Sequence, residues 1–206
     1  MQAVAPLPYR FAAEPLELVE RTLSPALARS ASRLCAEPFQ DVCVRLAAED
    51  LAQALRAPPG LAVQPLLDDA AMLAHLFLLR TGAAELELRL ERVTGDACRA
   101  FHRDNVRLRL VTTYVGPGTD YVADADAEAA LRLQAGFAGE VRRCPACALA
   151  WMRGSACAKG AGLAHRSPPI AGTGAVRLVL VLSEPGRASP SRWSPPQGAV
   201  LDAAFG

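Results

Sequence analysis

The chain has 206 residues, enough for one domain with its own core, and 22 Lys and Arg against 21 Asp and Glu leave a formal charge of +1. That balance excludes a general nucleic-acid binder, which would carry a basic face. No apolar run approaches the roughly 18 residues a bilayer crossing needs, and the start M-Q-A-V-A-P-L-P-Y-R lacks the charged-then-apolar layout of a secretory signal, so a cytoplasmic protein is expected. In such a protein the six cysteines, at 35, 43, 98, 144, 147 and 157, are expected as reduced thiols.

In chain order, Pro15 to Leu34 reads as helix, with Leu16, Val19, Leu23 and Leu27 at helical spacing and Pro25 breaking the middle. Val42, Val44 and Leu46 alternate as in a short strand. A helix carrying Leu51 and Leu55 ends at Pro58-Pro59-Gly60. The next helix is the clearest: Leu66, Ala70, Leu73 and Phe77 form a buried stripe, and Gly82 is a left-handed stop. The period then changes to two. Glu85 to Glu91 alternates strictly, leucines inward and charges to water, and Arg107 to Tyr114 alternates nearly as well. Asp124 to Gln134 suits a surface helix or loop. Ala146 to Met152 and Ala175 to Leu182 read as further strands. After Glu184 the chain turns Pro- and Ser-rich, as in a mobile tail.

A helical third followed by strands is an α+β pattern. The expected architecture is a single domain over residues 1–184, with a helical part (10–82) packed on a β-rich part (83–184), and a flexible tail at 185–206. The strands suit a small jelly roll, a cupin-like double-stranded β-helix whose interior holds a metal or ligand.

The chemistry gathers around C-R-A-F-H-R-D-N-V-R-L-R-L-V-T-T-Y-V-G-P-G-T, residues 98 to 119. If this stretch is a regular strand, His102 and Asp104 face the same way, one pleat apart, on the side of Leu108 and Leu110. His165 is the only downstream histidine. Two His and one carboxylate on one side of a metal leave open positions for substrate, the arrangement of non-haem Fe(II) oxygenases. The same residues also suit a hydrogen-bonded His102–Asp104 pair at a strand end with His165 on an exposed loop. Arg177 interrupts an apolar strand and could clamp a carboxylate such as that of 2-oxoglutarate. By parity Tyr114 and Thr112 share the face of the triad, where Tyr114 would help position the co-substrate. Cys144-Pro145-Ala146-Cys147 is a C-x-x-C without a partner pair, better read as two separate thiols. Cys98, four residues before His102, suits an ordinary thiol or a soft ligand favouring zinc.

The segments C-R-A-F-H-R-D-N-V-R-L-R-L-V-T-T-Y-V-G-P-G-T, G-L-A-H-R-S-P-P and V-R-L-V-L-V-L resemble a bacterial family of unknown function, DUF1826. Its F-H-x-D falls on Phe101, His102 and Asp104, its T-T-Y-x-G-x-G-T on Thr112 to Thr119, and its H-R-S-P on His165 to Pro168. Relatives carry a Trp and acidic residues before H-R-S-P, where this chain has Ser155, Cys157 and Lys159. A looser resemblance is to 2-oxoglutarate oxygenases of the prolyl-hydroxylase type, in which the order His102, Asp104, Tyr114, His165 and Arg177 would be that of the site. It implies a divalent metal, Fe(II) favoured and Zn(II) the alternative, with 2-oxoglutarate as co-substrate. The expected partner is a small-molecule or peptide substrate, with neither nucleic acid nor membrane. The alternatives are a non-redox zinc protein using the same residues and an interaction domain without catalysis.

Overall fold

The structure, a computed structural model, describes residues 14–157, 161–195, 198–202 and 204. It combines helices with two antiparallel sheets. The larger sheet has six strands: β1 (Leu16–Val19), β2 (Val42–Ala47), β3 (Glu85–Val93), β4 (Leu108–Val115), β7 (Leu149–Arg153) and β9 (Arg177–Ser183), in the order β1-β7-β4-β9-β3-β2. The smaller has three two-residue strands, β5 (Asp120–Tyr121), β6 (Arg142–Arg143) and β8 (His165–Arg166), in the order β6-β5-β8. Four α-helices complete the framework: α1 (Pro25–Ala36), α2 (Leu51–Ala54), α3 (Gln64–Thr81) and α4 (Ala127–Leu133). No helix among the described residues is long and apolar enough to cross a membrane.

The strand expected at Val42 to Leu46 is present, whereas residues 16–19, expected within a helix, form a strand as well. Residues 16–19 and 42–47 form the two edge strands of the larger sheet. Pro25 does not break a helix but begins one. Its fixed φ and missing N–H suit the first helical position, and Ser24 caps the end by accepting the Leu27 N–H at 3.2 Å. α3 follows the sequence pattern closely: Leu66, Ala70, Leu73 and Phe77 are buried, and Gly82 stops the helix at φ 67°, its N–H donating to Leu78 O.

Helices α1 and α3 cover one face of the larger sheet. The even-numbered leucines of β3, β4 and β9 meet them there, with Phe77 stacked on Trp151 at a centroid distance of 6.1 Å. The opposite face, with Val111, Ala150, Met152 and Val179, packs against Cys144 and Leu163, residues that flank strands of the smaller sheet. It does not all face water. Arg89 and Glu91, charges on the supposed solvent side of β3, line a cavity here.

Residues 185–206, expected as a mobile tail, carry Trp193 and Leu201 into the helix-side core. The Trp193 backbone N–H donates to Arg45 O at 2.9 Å, and Arg192 pairs with Asp50 at 3.0 Å. Proline and serine here specify an irregular path, and the anchoring comes from an indole and a leucine that the composition conceals. Residues 196–197, 203 and 205–206 of this segment lie outside the described residues, as do 10–13 of the expected helical part and Lys159.

Candidate metal centre

The two histidines meet through backbone pairing. His102 N–H donates to His165 O, and His165 N–H donates to His102 O, each at 3.0 Å, an isolated antiparallel bridge. A reciprocal pair of this kind sets two side chains beside each other on one face. The imidazole centroids are accordingly 4.5 Å apart although 63 positions separate the residues. β8 is held in turn by β5, with His165 opposite Tyr121.

Asp104 reaches the same point by a different route. The chain bends at residues 105–107 before β4 begins at Leu108, so parity counted back along the strand does not reach Asp104. The bend is fixed by residues after β7. Gly154 N–H donates to Arg107 O, Ser155 N–H and Oγ both donate to Asp104 O at 2.8 and 3.0 Å, and Ala156 N–H donates to Val106 O. Only glycine fits at 154, because a Cβ there would lie 2.1 Å from Val106 O. Ser155 thus holds the backbone of Asp104.

The result is a cluster of His102, Asp104 and His165 whose ligand atoms lie within 4.8 Å of one another. His165 Nε2 is 3.3 Å from Asp104 Oδ2, and His102 Nε2 is 3.6 Å from Oδ1. Both Nδ1 atoms sit against backbone carbonyls, Ala100 O at 2.9 Å and Leu163 O at 3.1 Å. A carbonyl can only accept, so Nδ1 carries a proton in each ring and Nε2 is the nitrogen turned toward the carboxylate. Burial alone would raise the Asp104 carboxyl, but the adjacent His102 and His165 imidazoles and the nearby charge of Arg109 hold it well below the usual carboxylate range. The Asp104 contact also raises His102 against the opposing effect of burial.

One atom tests whether a cation fits. Asp104 Oδ2 is buried and accepts no hydrogen bond among the described residues, while facing His165 Nε2. A buried carboxylate oxygen without a donor is costly, and a cation shared with two imidazoles removes the cost. The donor set, two nitrogens and one oxygen, suits Fe(II), Mn(II) or Zn(II). The Cys98 thiol, although it lines the same cavity, is not part of the converging set.

Arg177 lies in the wall of this cavity, 2% exposed. Its Nε donates to Pro117 O at 2.7 Å and Nη1 to Ser167 Oγ at 3.2 Å, and among the described residues no carboxylate lies within ion-pair distance of it. Burial lowers its pKa against the favourable charges of Asp120 and Glu91. Gly116 permits the close approach, since a Cβ there would lie 2.4 Å from Val176 O at φ 84°.

Tyr114 is elsewhere. It belongs to the helix-side core with Leu108 and Leu110, and its hydroxyl donates to Asp69 Oδ2 at 2.6 Å, beside the Arg21–Asp69 ion pair. Thr112, on the same face, donates to Cys147 O. The strand keeps its alternation up to the irregularity between Thr113 and Val115, so both residues follow the leucines and not the triad. All six cysteines are free.

Arg109 was not singled out by the sequence. It lines the cavity and donates from Nη1 to Asp104 Oδ1 at 2.6 Å. Its signal was its odd position in L-R-L-V, opposite in parity to Leu108 and Leu110.

Among solved structures, the chain is similar to HygX from Streptomyces hygroscopicus, crystallised with nickel and 2-oxoglutarate bound, at TM-score 0.50 and 12% identity over 94% of this chain and 91% of that one. That likeness concerns the fold. The Fe(II)/α-ketoglutarate-dependent dioxygenase TqaL gives TM-score 0.49 and 13% identity, covering 84% of each chain. A prolyl-4-hydroxylase from Pseudomonas putida gives TM-score 0.44 and 18% identity, covering 84% of this chain and 89% of that one. No curated protein matches the sequence. Residues 13–183 match the family described as protein of unknown function (DUF1826), and the chain belongs to that family.

Proposed function

We propose that this protein is a metal-dependent oxygenase on a jelly-roll scaffold, in which His102, Asp104 and His165 hold Fe(II) and Arg177 anchors 2-oxoglutarate. The observation that carries the reading is the convergence of the three side chains around one unsatisfied carboxylate oxygen. Two further features support it. Arg177 is a buried cation in the same cavity without a carboxylate partner among the described residues, which a carboxylate co-substrate would supply. The fold is similar to that of HygX, a protein solved with nickel and 2-oxoglutarate.

An iron(II) in this position supplies the redox chemistry of dioxygen activation when bound. The chain's own residues would do the rest. The two imidazoles and Asp104 would occupy one side of the centre and leave the other for ligands. The Nδ1–H contacts to Ala100 O and Leu163 O keep both rings in the ligating tautomer. Arg177 would orient the co-substrate by its carboxylate, with Ser167 and Pro117 holding the guanidinium in place. The cavity encloses about 120 Å³, room for one small co-substrate, so the primary substrate would approach from its open side.

The test is anaerobic reconstitution with Fe(II), then addition of 2-oxoglutarate and air. Succinate release that requires Fe(II) and is lost in H165A is the expected result. Zinc that survives dialysis, with no succinate from any substrate pool, would establish the non-redox metal protein instead.

A further inference from the structure

We propose that Arg109 is the positioning residue of the carboxylate ligand: by holding Oδ1 of Asp104 it presents Oδ2 alone to the metal. This rests on the metal reading above but concerns a residue that the reading does not use.

The backbone of Arg109 cannot wander. It sits in β4 between two neighbours, opposite Met152 of β7 and Ser183 of β9. Its parity matches Val111, so its side chain enters the cavity with His102, His165 and Arg177. From there Nη1 donates to Asp104 Oδ1 at 2.6 Å, with the Asp104 side chain 8% exposed and the Arg109 side chain 22% exposed. Charge-assisted hydrogen bonds of this length are strong and directional.

The contact is one-sided, and that separates a positioning role from a purely structural ion pair. A guanidinium beside a carboxylate commonly makes two parallel hydrogen bonds. Here only Oδ1 is engaged. Oδ2 is left without a donor, and Arg109 Nε is also buried without a partner. The unengaged oxygen is the one that lies 3.3 Å from His165 Nε2. With the Asp104 carbonyl held by Ser155, the residue is fixed at both its backbone and its carboxylate. A carboxylate released at Oδ1 could rotate and offer either oxygen, or both.

The experiment is a Co(II) titration of the metal-free full chain, followed by visible absorption, with circular dichroism as a folding check. Wild type is expected to bind Co(II) with a defined ligand-field spectrum. R109M is expected to bind about 10–100-fold more weakly, the effect typical of removing a ligand's hydrogen-bond partner, with altered bands. R109K should recover part of the affinity. A folded R109M with wild-type affinity and spectrum overturns the proposal. Should R109M fail to fold, difference infrared spectra of wild type against D104N on metal binding decide. Widely split carboxylate stretches, as for one-oxygen coordination, are expected, and a narrow two-oxygen splitting overturns the proposal. Wild type that takes up no Co(II) would bring down the metal reading together with this one. An unchanged R109M brings down only the role of Arg109.

Discussion

The two faces of the six-stranded sheet are built from the same strands and do opposite work. On one, Leu86, Leu88 and Leu90 of β3 and Leu178, Leu180 and Leu182 of β9 close against helices α1 and α3. On the other, alternate residues of those strands, Arg89, Glu91 and Arg177, face a cavity. Buried polar atoms of Asp104, Arg109 and Arg166 that lack a hydrogen bond among the described residues belong to residues at this cavity or to the His102–Asp104–His165 cluster. The difference teaches where stability and chemistry reside. One face closes by packing with its few polar groups paired internally, and the other keeps buried polar atoms without hydrogen-bond partners.

The strongest way to break that comparison is to remove a ligand. H165A is expected to abolish detectable Co(II) binding while leaving the thermal melt of the metal-free protein essentially unchanged; a large fall in melting temperature would show that the cavity face also carries the fold. The mirror experiment is F77A. It deletes a fully buried ring stacked on Trp151 and should cost about 3–5 kcal/mol in denaturant unfolding. The remaining folded fraction should bind Co(II) with wild-type affinity.

R177Q separates the two ligands of the cavity. Loss of the buried cation should weaken 2-oxoglutarate binding by about 2–5 kcal/mol, measured calorimetrically on the Co(II)-loaded protein, while Co(II) affinity stays within about twofold. Y114F tests the opposite face. It removes the hydroxyl that donates to the Asp69 carboxylate and should cost about 1.5–3 kcal/mol of stability. An effect on 2-oxoglutarate affinity would return Tyr114 to the site from which the fold excludes it.

The smallest effect is on pH dependence. His102 is raised above its ordinary value by Asp104, so its proton competes with a metal at and somewhat above pH 6.5. Apparent metal affinity should therefore climb as pH rises through that range, by up to about tenfold per unit. The metal-free protein should behave in the opposite sense. The contribution from His102 is complete below its unfolded pKa and fades as pH rises through the folded one. Asp104, being depressed, contributes above the ordinary carboxylate range and loses its contribution only in acid. Parallel melts with and without metal would show the crossing trends.

What could be read in advance was whatever a local period encodes. The α3 stripe with its Gly82 stop, the leucine alternation of β3 and the membership carried by F-H-x-D and H-R-S-P all follow from short-range pattern. Misreadings arose where a local rule was carried past its range. Parity was extended through the bend at 105–107 and put Tyr114 beside Asp104. Pro25 starts a helix, where residue spacing alone reads it as a break. Proline- and serine-rich composition hid the burial of Trp193 and Leu201.

By itself, then, the sequence determined the residue types able to hold a cation and the leucine-patterned strands of the larger sheet, because side-chain chemistry and hydrophobic period are properties of neighbouring residues. Only the tertiary structure decided that His102 and His165 share a backbone bridge, that Ser155 and Arg109 fix Asp104, and that Tyr114 faces the helices. Each of these depends on a hydrogen bond or contact between distant segments, and no local period records such a pairing.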